Sequence, residues 1–194
     1  MSQPSGQPFL FGKLPAHGDF VSRGLADGAR QVWDDWASHA LERLGAASAD
    51  FAQAHNAIPP WRFVAGPSRL GAGWRVGALT PSIDGAGRRF VLVAGYGACN
   101  GAIAASQGMV LAGLAEDVIY RALGERLTAD QTQAALAEAL GERAHEGEAA
   151  GLLAAAPAGP GVWWSAGVAA RAGAEPPADL LALAGQVWQR EATA

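Results

Sequence analysis

The sequence predicts an α/β sandwich, an α+β arrangement in which a mainly antiparallel central sheet of about five strands is flanked by helices. Three observations lead to this fold class. Half of the 194 residues are hydrophobic and seven are tryptophans, which is enough for one well-buried domain. Three strand-like segments follow one another with only short, turn-rich connections, which favour antiparallel neighbours. Segments in which apolar residues have helical spacing precede and follow these strands along the chain. The predicted order of elements is β-α-β-β-β-α-α-β-α.

The first third of the chain is predicted to contain one strand and one long helix. The short apolar run "FLFGKL" at 9–14 reads as a strand, and an irregular loop follows it through Gly24. Asp27 is the predicted N-cap of a helix that stops near Gly45. Small residues dominate 45–60, which we expect to be a linker.

The remaining elements follow from turn signals and from one capping pattern. Thr128 and Gln131 have the spacing of a capping box, which satisfies free N–H groups at the start of a helix. We expect a single domain over residues 9–190, preceded by a flexible tail at 1–8. The further predicted elements are strands at 61–66, 74–80 and 88–95, a helix at 102–127, a second helix ending near Gly141, a strand at 161–168 and a final helix that begins at its prolines, Pro176 and Pro177.

Composition excludes several classes of function. The formal charge is −4 with lysine and arginine scattered, so no basic face is available for nucleic acid. Cys99 is the only cysteine, which rules out an intramolecular disulfide and a cysteine-built metal site and fits a cytoplasmic location. The first eight residues lack the pattern of a signal peptide. Residues 90–115 are uncharged but interrupted by glycines and polar residues, so we expect a buried strand and helix rather than membrane insertion.

Neither a cofactor site nor a metal site is predicted. The stretch "GYGACNG" at 95–101 follows an apolar strand, as phosphate-binding glycines do. Its spacing is one residue too long for the dinucleotide fingerprint, and a helix follows where a second parallel strand is needed. The four histidines do not have the spacing of helical metal ligands; they are His17, His39, His55 and His145.

The stretch "GKLPAHGDFVSRGL" at 12–25 looks catalytic at first sight, because it holds His17 and Asp19 close together. No serine lies in a GxSxG elbow, although Ser22, Ser82 and Ser165 could meet His17 in space. A small hydrolase or phosphate-handling enzyme that uses His17, Asp19 and Arg88 therefore stays open as an alternative.

Two carboxylate–guanidinium pairs are more informative. Asp19 precedes Arg23 by four residues, and Asp84 precedes Arg88 by the same spacing, each in a glycine-containing turn. Each pair could close its own loop through a charge-assisted hydrogen bond, or the four groups could form one network if the loops converge. Two separate, solvent-exposed pairs of small energy are the competing interpretation.

Several segments together resemble a known family. These are "GKLPAHGDFVSRGL" at 12–25, "WDDWASHAL" at 33–41, "PPWRFVAG" at 59–66 and "GALTPSIDGAGRRFVLV" at 77–93. In order and spacing they are similar to the TagF family, also called ImpM, of accessory proteins of bacterial type VI secretion systems. The sequence departs from the family pattern at Gly85, where a larger and often basic residue is usual, and at Val91, where a proline is common.

The resemblance implies a cytoplasmic, non-enzymatic protein that represses type VI secretion after its components have been made. It implies contact with a forkhead-associated scaffold protein of the secretion apparatus and a link to a threonine kinase and phosphatase pathway. A structural adaptor within the apparatus is a further alternative. The family fold implied is an α/β sandwich, and a longin-like or profilin-like fold is an additional expectation.

The residues singled out fall into two groups. The loops at 15–24 and 81–88 are expected either to contact the partner or to shape the surface that does. The core signature consists of Trp33, Trp36, Trp61 and Phe63. The candidate partner-binding or motif-structuring residues are His17, Gly18, Asp19, Arg23, Arg62, Ser82, Asp84 and Arg88.

Overall fold

The computed structural model describes residues 6–99, 101–145 and 160–182. Helices lie on both faces of one sheet in these residues, which agrees with the predicted α+β class. The elements are β1 (Gln7–Lys13), β2 (Phe20–Arg23), α1 (Asp27–Ala47), α2 (Phe51–Asn56), β3 (Trp61–Ala65), β4 (Trp74–Ile83), β5 (Arg89–Cys99), α3 (Gly101–Gly124), α4 (Ala129–His145), β6 (Gly161–Ser165) and β7 (Val168–Ala172).

Within the described residues the sheet has seven strands in the order β2-β1-β5-β4-β3-β6-β7, and every neighbouring pair is antiparallel. The prediction of about five strands was therefore too low. The two additional strands, β2 and β7, are the edges of the sheet. β2 has four residues inside a glycine-rich stretch, and β7 has the sequence VAARA, so neither has the β-branched alternation that indicates a strand.

Several predicted boundaries also change. Residues 51–56 of the expected linker form α2, because the Asp50 side chain accepts a hydrogen bond from the Gln53 N–H at 3.0 Å. Asp27 is the first residue of α1 rather than its N-cap, which is Ala26 and provides no side-chain cap. α1 continues past Gly45 to Ala47, and α4 continues past Gly141 to His145.

The structure describes the two ends of the chain only in part. β1 begins at Gln7, so Gln7 and Pro8 of the expected tail belong to the sheet. The predicted final helix does not begin at its prolines: residues 176–179 are not helical, residues 180–182 are, and the part of the predicted helix beyond 182 lies outside the described residues.

The capping box at the start of α4 is confirmed. The Thr128 N–H donates to Gln131 Oε1 at 2.9 Å, and the Gln131 N–H donates to Thr128 Oγ1 at 3.3 Å. A reciprocal pair of this kind fixes the first turn of the helix, which lies beside the candidate site described below.

Two hydrophobic cores lie on opposite faces of the sheet. α3 packs on β3, β4 and β5, while α4 packs on β1 and β2, and both helices share one core. The other core is aromatic and lies under α1: Trp33, Trp61, Phe63 and Trp163 are each fully buried, and the rings of Phe63 and Trp163 stack at 4.5 Å. Trp36 is only half-buried, and its indole N–H donates to the Pro177 carbonyl at 3.1 Å.

The uncharged stretch at 90–115 forms most of β5 and the first half of α3. Among the residues that the structure describes, no helix has the length and apolarity required to cross a membrane.

Candidate functional site at two converging loops

The two loops singled out in the sequence lie at the same end of the sheet. β1 and β4 are both antiparallel to β5, which lies between them, so β1 and β4 run in the same direction. The loop after β1 (14–19) and the loop after β4 (84–88) consequently leave the sheet side by side. We call these two loops, with Lys13 and Phe20, the signature site.

Asp84 organises this site. Its Oδ1 accepts hydrogen bonds from the Ala86 and Arg88 N–H groups, both at 2.9 Å. Its Oδ2 accepts from Arg88 Nε at 2.8 Å and lies 3.0 Å from Lys13 Nζ. The Asp84 side chain is fully buried in these contacts, which confirms the predicted Asp84–Arg88 pair and fixes the 84–88 turn.

The contacts of Asp84 determine its charge state. Burial by itself would raise the pKa of this carboxyl, but the hydrogen bonds from the Arg88 backbone, Lys13, the Arg88 side chain and the Ala86 backbone outweigh it. The pKa of Asp84 therefore lies well below its usual range, and the side chain is an anion between two cations at neutral pH.

Lys13 is the component that sequence reasoning missed. It is buried at the end of β1, and its ammonium group lies 4.9 Å from the centroid of the Phe20 ring as well as beside Asp84. A signal was present, because the only lysine of the chain stands in the otherwise apolar run "FLFGKL". A lysine in that setting needs a buried carboxylate, which the sequence does not locate.

Backbone contacts join the two loops directly. Arg88 Nη2 donates to the Gly18 carbonyl, and the Gly85 N–H donates to the His17 carbonyl at 2.7 Å. A Cβ on Gly85 would lie 3.2 Å from the His17 and Pro15 carbonyl oxygens, so the present approach of the loops favours glycine here. The loops therefore converge, but the four groups of the two predicted pairs do not form one network, because Arg23 pairs with Asp130.

The imidazole of His17 is engaged as a structural acceptor. Its Nε2 accepts a hydrogen bond from the Ala129 N–H, the first residue of α4, at 3.0 Å. The proton of the neutral ring is then on Nδ1. Arg126 Nη2 also donates to the Pro15 carbonyl at 2.6 Å, so the loop after β1 is fastened to the start of α4 at two points.

The predicted Asp19–Arg23 pair is wrong. Arg23 Nε instead donates to Asp130 Oδ1 of α4 at 2.7 Å, and Asp19 Oδ1 accepts from the Phe20 N–H at 2.9 Å. The reason is strand β2, which begins directly after Asp19 and ends at Arg23: four residues of extended chain span about 13 Å, whereas the Asp84–Arg88 pair closes a tight turn.

Other predicted site residues lie elsewhere or are enclosed. Arg62 is on β3, separated from β5 by β4, and its Nε donates to Glu116 Oε2 of α3 at 2.7 Å. Ser82 is buried, and its hydroxyl has no hydrogen-bond partner within the described residues. Ser165 donates to the Pro60 carbonyl at 2.6 Å.

The outer surface of the signature site is aromatic and preorganised. Phe20 is 47% exposed, yet its ring lies parallel to Phe11 at 6.1 Å and meets the edge of Phe90 at 4.7 Å. Asp19 and the residues 85–87 are exposed around it. The outer surface of the signature site thus combines a rigid, exposed aromatic ring with an exposed carboxylate that accepts one backbone hydrogen bond.

Comparisons with known proteins agree with the ordered motifs. The model of the TagF N-terminal domain family, described as type VI secretion system-associated, matches residues 10–139, which include the whole signature site. A crystal structure of PA0076 from Pseudomonas aeruginosa PAO1 is similar, with a TM-score of 0.57 and 28% sequence identity, over 92% of this chain and 77% of that chain. No curated protein matches the sequence.

Proposed function

The chain belongs to the TagF family of type VI secretion system-associated proteins, and from that premise we propose that it is a non-enzymatic, post-translational repressor of type VI secretion. It acts in the cytoplasm by binding a forkhead-associated scaffold protein of the apparatus, and it operates alongside a threonine kinase and phosphatase pathway. The signature site is the surface that binds the partner.

One observation carries this proposal. The side chains that look catalytic in the sequence hold the two loops in place, and what they present outward is the Phe20 ring. Arg88 binds Asp84 and the Gly18 carbonyl, and His17 accepts from the first N–H of α4. Groups fixed in this way support a shaped contact surface, because a rigid surface loses little conformational entropy on binding.

A pull-down with the forkhead-associated protein of the same secretion system tests the partner. The wild-type protein should capture it. Asp19→Ala removes an exposed carboxylate next to Phe20 and should weaken capture, whereas Arg88→Ala should loosen both loops. Arg30→Ala on α1 is a matched control, because Arg30 is exposed and its side chain has, among the described residues, a single ion-pair contact, at 4.0 Å with Asp27. Failure of the wild-type protein to bind would remove the partner assignment.

The alternative function, a phosphate-handling enzyme, requires a different arrangement of side chains. It requires His17, Asp19 and Arg88 to act on one substrate, but each of these side chains makes its hydrogen bonds to a different part of the chain. Hydrolysis of p-nitrophenyl phosphate by the wild-type protein, abolished by His17→Ala, would favour the enzyme over the repressor.

A deletion strain separates the repressor from a structural adaptor. Loss of a repressor raises secretion, whereas loss of an adaptor abolishes it. The longin-like or profilin-like grouping of the fold stays a prediction.

A further inference from the structure

A recess separate from the signature site lies along α1. Its volume is about 350 Å³, and its second wall is formed by Arg69 together with residues 175, 176 and 178 that follow β7. Volumes of this order are found at the small end of ligand-binding sites. No residue of the signature site lines it, so we treat this α1 cleft as an independent feature.

The helical wall of the α1 cleft changes character along its length. Val32, Trp36, His39 and Arg43 all line it, and their spacing of four, three and four residues places them on one face of α1. From Val32 to Arg43 this face extends about 16 Å at 1.5 Å per residue. It is apolar at the Val32 end and carries a cation at the Arg43 end.

The wall opposite α1 is held in place by an ion pair and by a hydrogen bond to α1. Arg69 Nε and Nη2 bind the two carboxylate oxygens of Glu175 at 2.9 and 2.5 Å, and this contact holds the pKa of Glu175 below its usual range. The Trp36 indole N–H is satisfied by the Pro177 carbonyl at 3.1 Å. With its only donor used, Trp36 offers the cleft an apolar ring surface.

The four charged side chains that line the α1 cleft differ in their partners. Arg69 is paired with Glu175, and the carboxylate of Asp35 accepts from Gln31 Nε2 at 2.8 Å. Arg43, by contrast, is exposed and has no hydrogen bond or ion pair with any other residue that the structure describes. An anion entering the cleft therefore finds a guanidinium whose donors are not used by any other residue that the structure describes.

His39 provides the second polar group, and its hydrogen bond defines which atom is free. His39 Nδ1 lies 2.6 Å from the Asp35 carbonyl oxygen. Because a carbonyl only accepts, Nδ1 carries the proton, and the lone pair of Nε2 is left to accept a hydrogen bond. One helical turn of α1 thus offers a cation for a carboxylate and an acceptor for an N–H group.

We propose that the α1 cleft binds the C-terminal residue of a polypeptide whose last side chain is apolar. Such a residue carries a carboxylate for Arg43, a neighbouring amide N–H for His39 Nε2, and a side chain that packs on Trp36. The site is distinct from the signature site, and its occupancy does not depend on the proposed function.

Titration calorimetry with the peptide acetyl-Ala-Ala-Phe tests this site. The peptide with a free C-terminal carboxylate should bind saturably, and the same peptide with a C-terminal amide should bind about tenfold more weakly, since one charge-assisted interaction is lost. Arg43→Gln should weaken binding of the free acid by a similar factor. Arg30→Gln, on the same helix and outside the cleft, is the matched control and should leave binding unchanged.

Three results would overturn the proposal. They are the absence of saturable binding, equal binding of the acid and the amide, and an equal loss in Arg43→Gln and Arg30→Gln. Both substituted side chains are at the surface of α1, so circular dichroism should show the same helix content in each variant.

Discussion

Lys13 and Asp84 form a buried ion pair, with Lys13 Nζ 3.0 Å from Asp84 Oδ2, between the end of β1 and the turn after β4. This pair connects the two segments that carry the family signature. The Asp84 carboxylate also binds two backbone N–H groups and the Arg88 side chain, so one anion fixes the geometry of both loops. The geometry of the signature site therefore depends first on Asp84.

Replacing Asp84 with Asn should lower the melting temperature by on the order of 10 °C, because it leaves a buried lysine without its counter-charge. Differential scanning calorimetry at pH 7 measures this. Asp27→Asn is the control: Asp27 is fully exposed and its contact with Arg30 is 4.0 Å, so a shift of less than about 3 °C is expected. Equal shifts in the two variants would show that Asp84 has no special structural role.

The effect of Asp84→Asn should depend on pH in a defined direction. The pKa of Asp84 is depressed in the folded protein, so the unfolded chain takes up a proton first as the pH falls. The stabilisation is complete above the ordinary aspartate pKa of about 4 and is lost below it. The difference in melting temperature between wild type and Asp84→Asn should therefore narrow below pH 4. A difference that stays constant from pH 7 to pH 3 would contradict the proposed ion cluster.

The environment of His55 predicts a second pH dependence of folding stability, at higher pH than that of Asp84. The ring is buried, Nε2 lies 2.6 Å from the Phe90 carbonyl oxygen, and Nδ1 has no hydrogen-bond partner among the described residues. Burial lowers the pKa of His55, so the folded state favours the neutral ring. Stability should be complete above the ordinary histidine pKa of about 6.5 and should decline as the pH falls below it.

The variant His55→Gln isolates this contribution, since glutamine can donate to the Phe90 carbonyl but does not titrate. Thermal melts from pH 8 to pH 5 should fall more steeply for the wild type than for the variant. Identical slopes would mean that another group causes the change.

Arg88→Lys should loosen the contact between the two loops while keeping a positive charge beside Asp84. A lysine lacks the planar fork with which Arg88 reaches both Asp84 and the Gly18 carbonyl. Hydrogen exchange at the Gly85 N–H, which donates to the His17 carbonyl, should accelerate about tenfold.

The Gly66 N–H serves as an internal reference for this experiment, because it donates to the Pro160 carbonyl at 2.7 Å, away from the signature site. Its exchange rate should not change. Acceleration at both glycines would indicate global destabilisation rather than a local release of the loops.

The sequence predicted those parts of the site that local chain geometry determines. The Asp84–Arg88 pair closes a tight turn, so a spacing of four residues was sufficient to anticipate it. The same spacing gave a wrong prediction for Asp19 and Arg23, because the residues from Phe20 to Arg23 form an extended strand and not a turn. Lys13 could not be assigned to Asp84 without the strand order, which places β1 and β4 on either side of β5.

The fold, like the site, was predictable only where the local sequence determines the structure. The central strands and long helices were predictable from hydrophobic periodicity, and the α4 capping box from its spacing. The edge strands β2 and β7 were not, since edge strands need little apolar alternation and their pairing is determined by the neighbouring strand. The α1 cleft was also not predictable from the sequence, because its second wall comes from residues that are distant from α1 in the sequence.

The proposed function requires that the signature site bind the forkhead-associated partner through Phe20. Surface plasmon resonance with that partner immobilised should compare wild type, Phe20→Ala and Tyr120→Ala. Phe20 and Tyr120 are similarly exposed, at 47% and 49%, but Tyr120 lies on α3. Phe20→Ala should weaken binding at least about tenfold, as expected for an aromatic hot spot, while Tyr120→Ala should bind like the wild type. Wild-type affinity in Phe20→Ala would contradict the proposed role of the signature site.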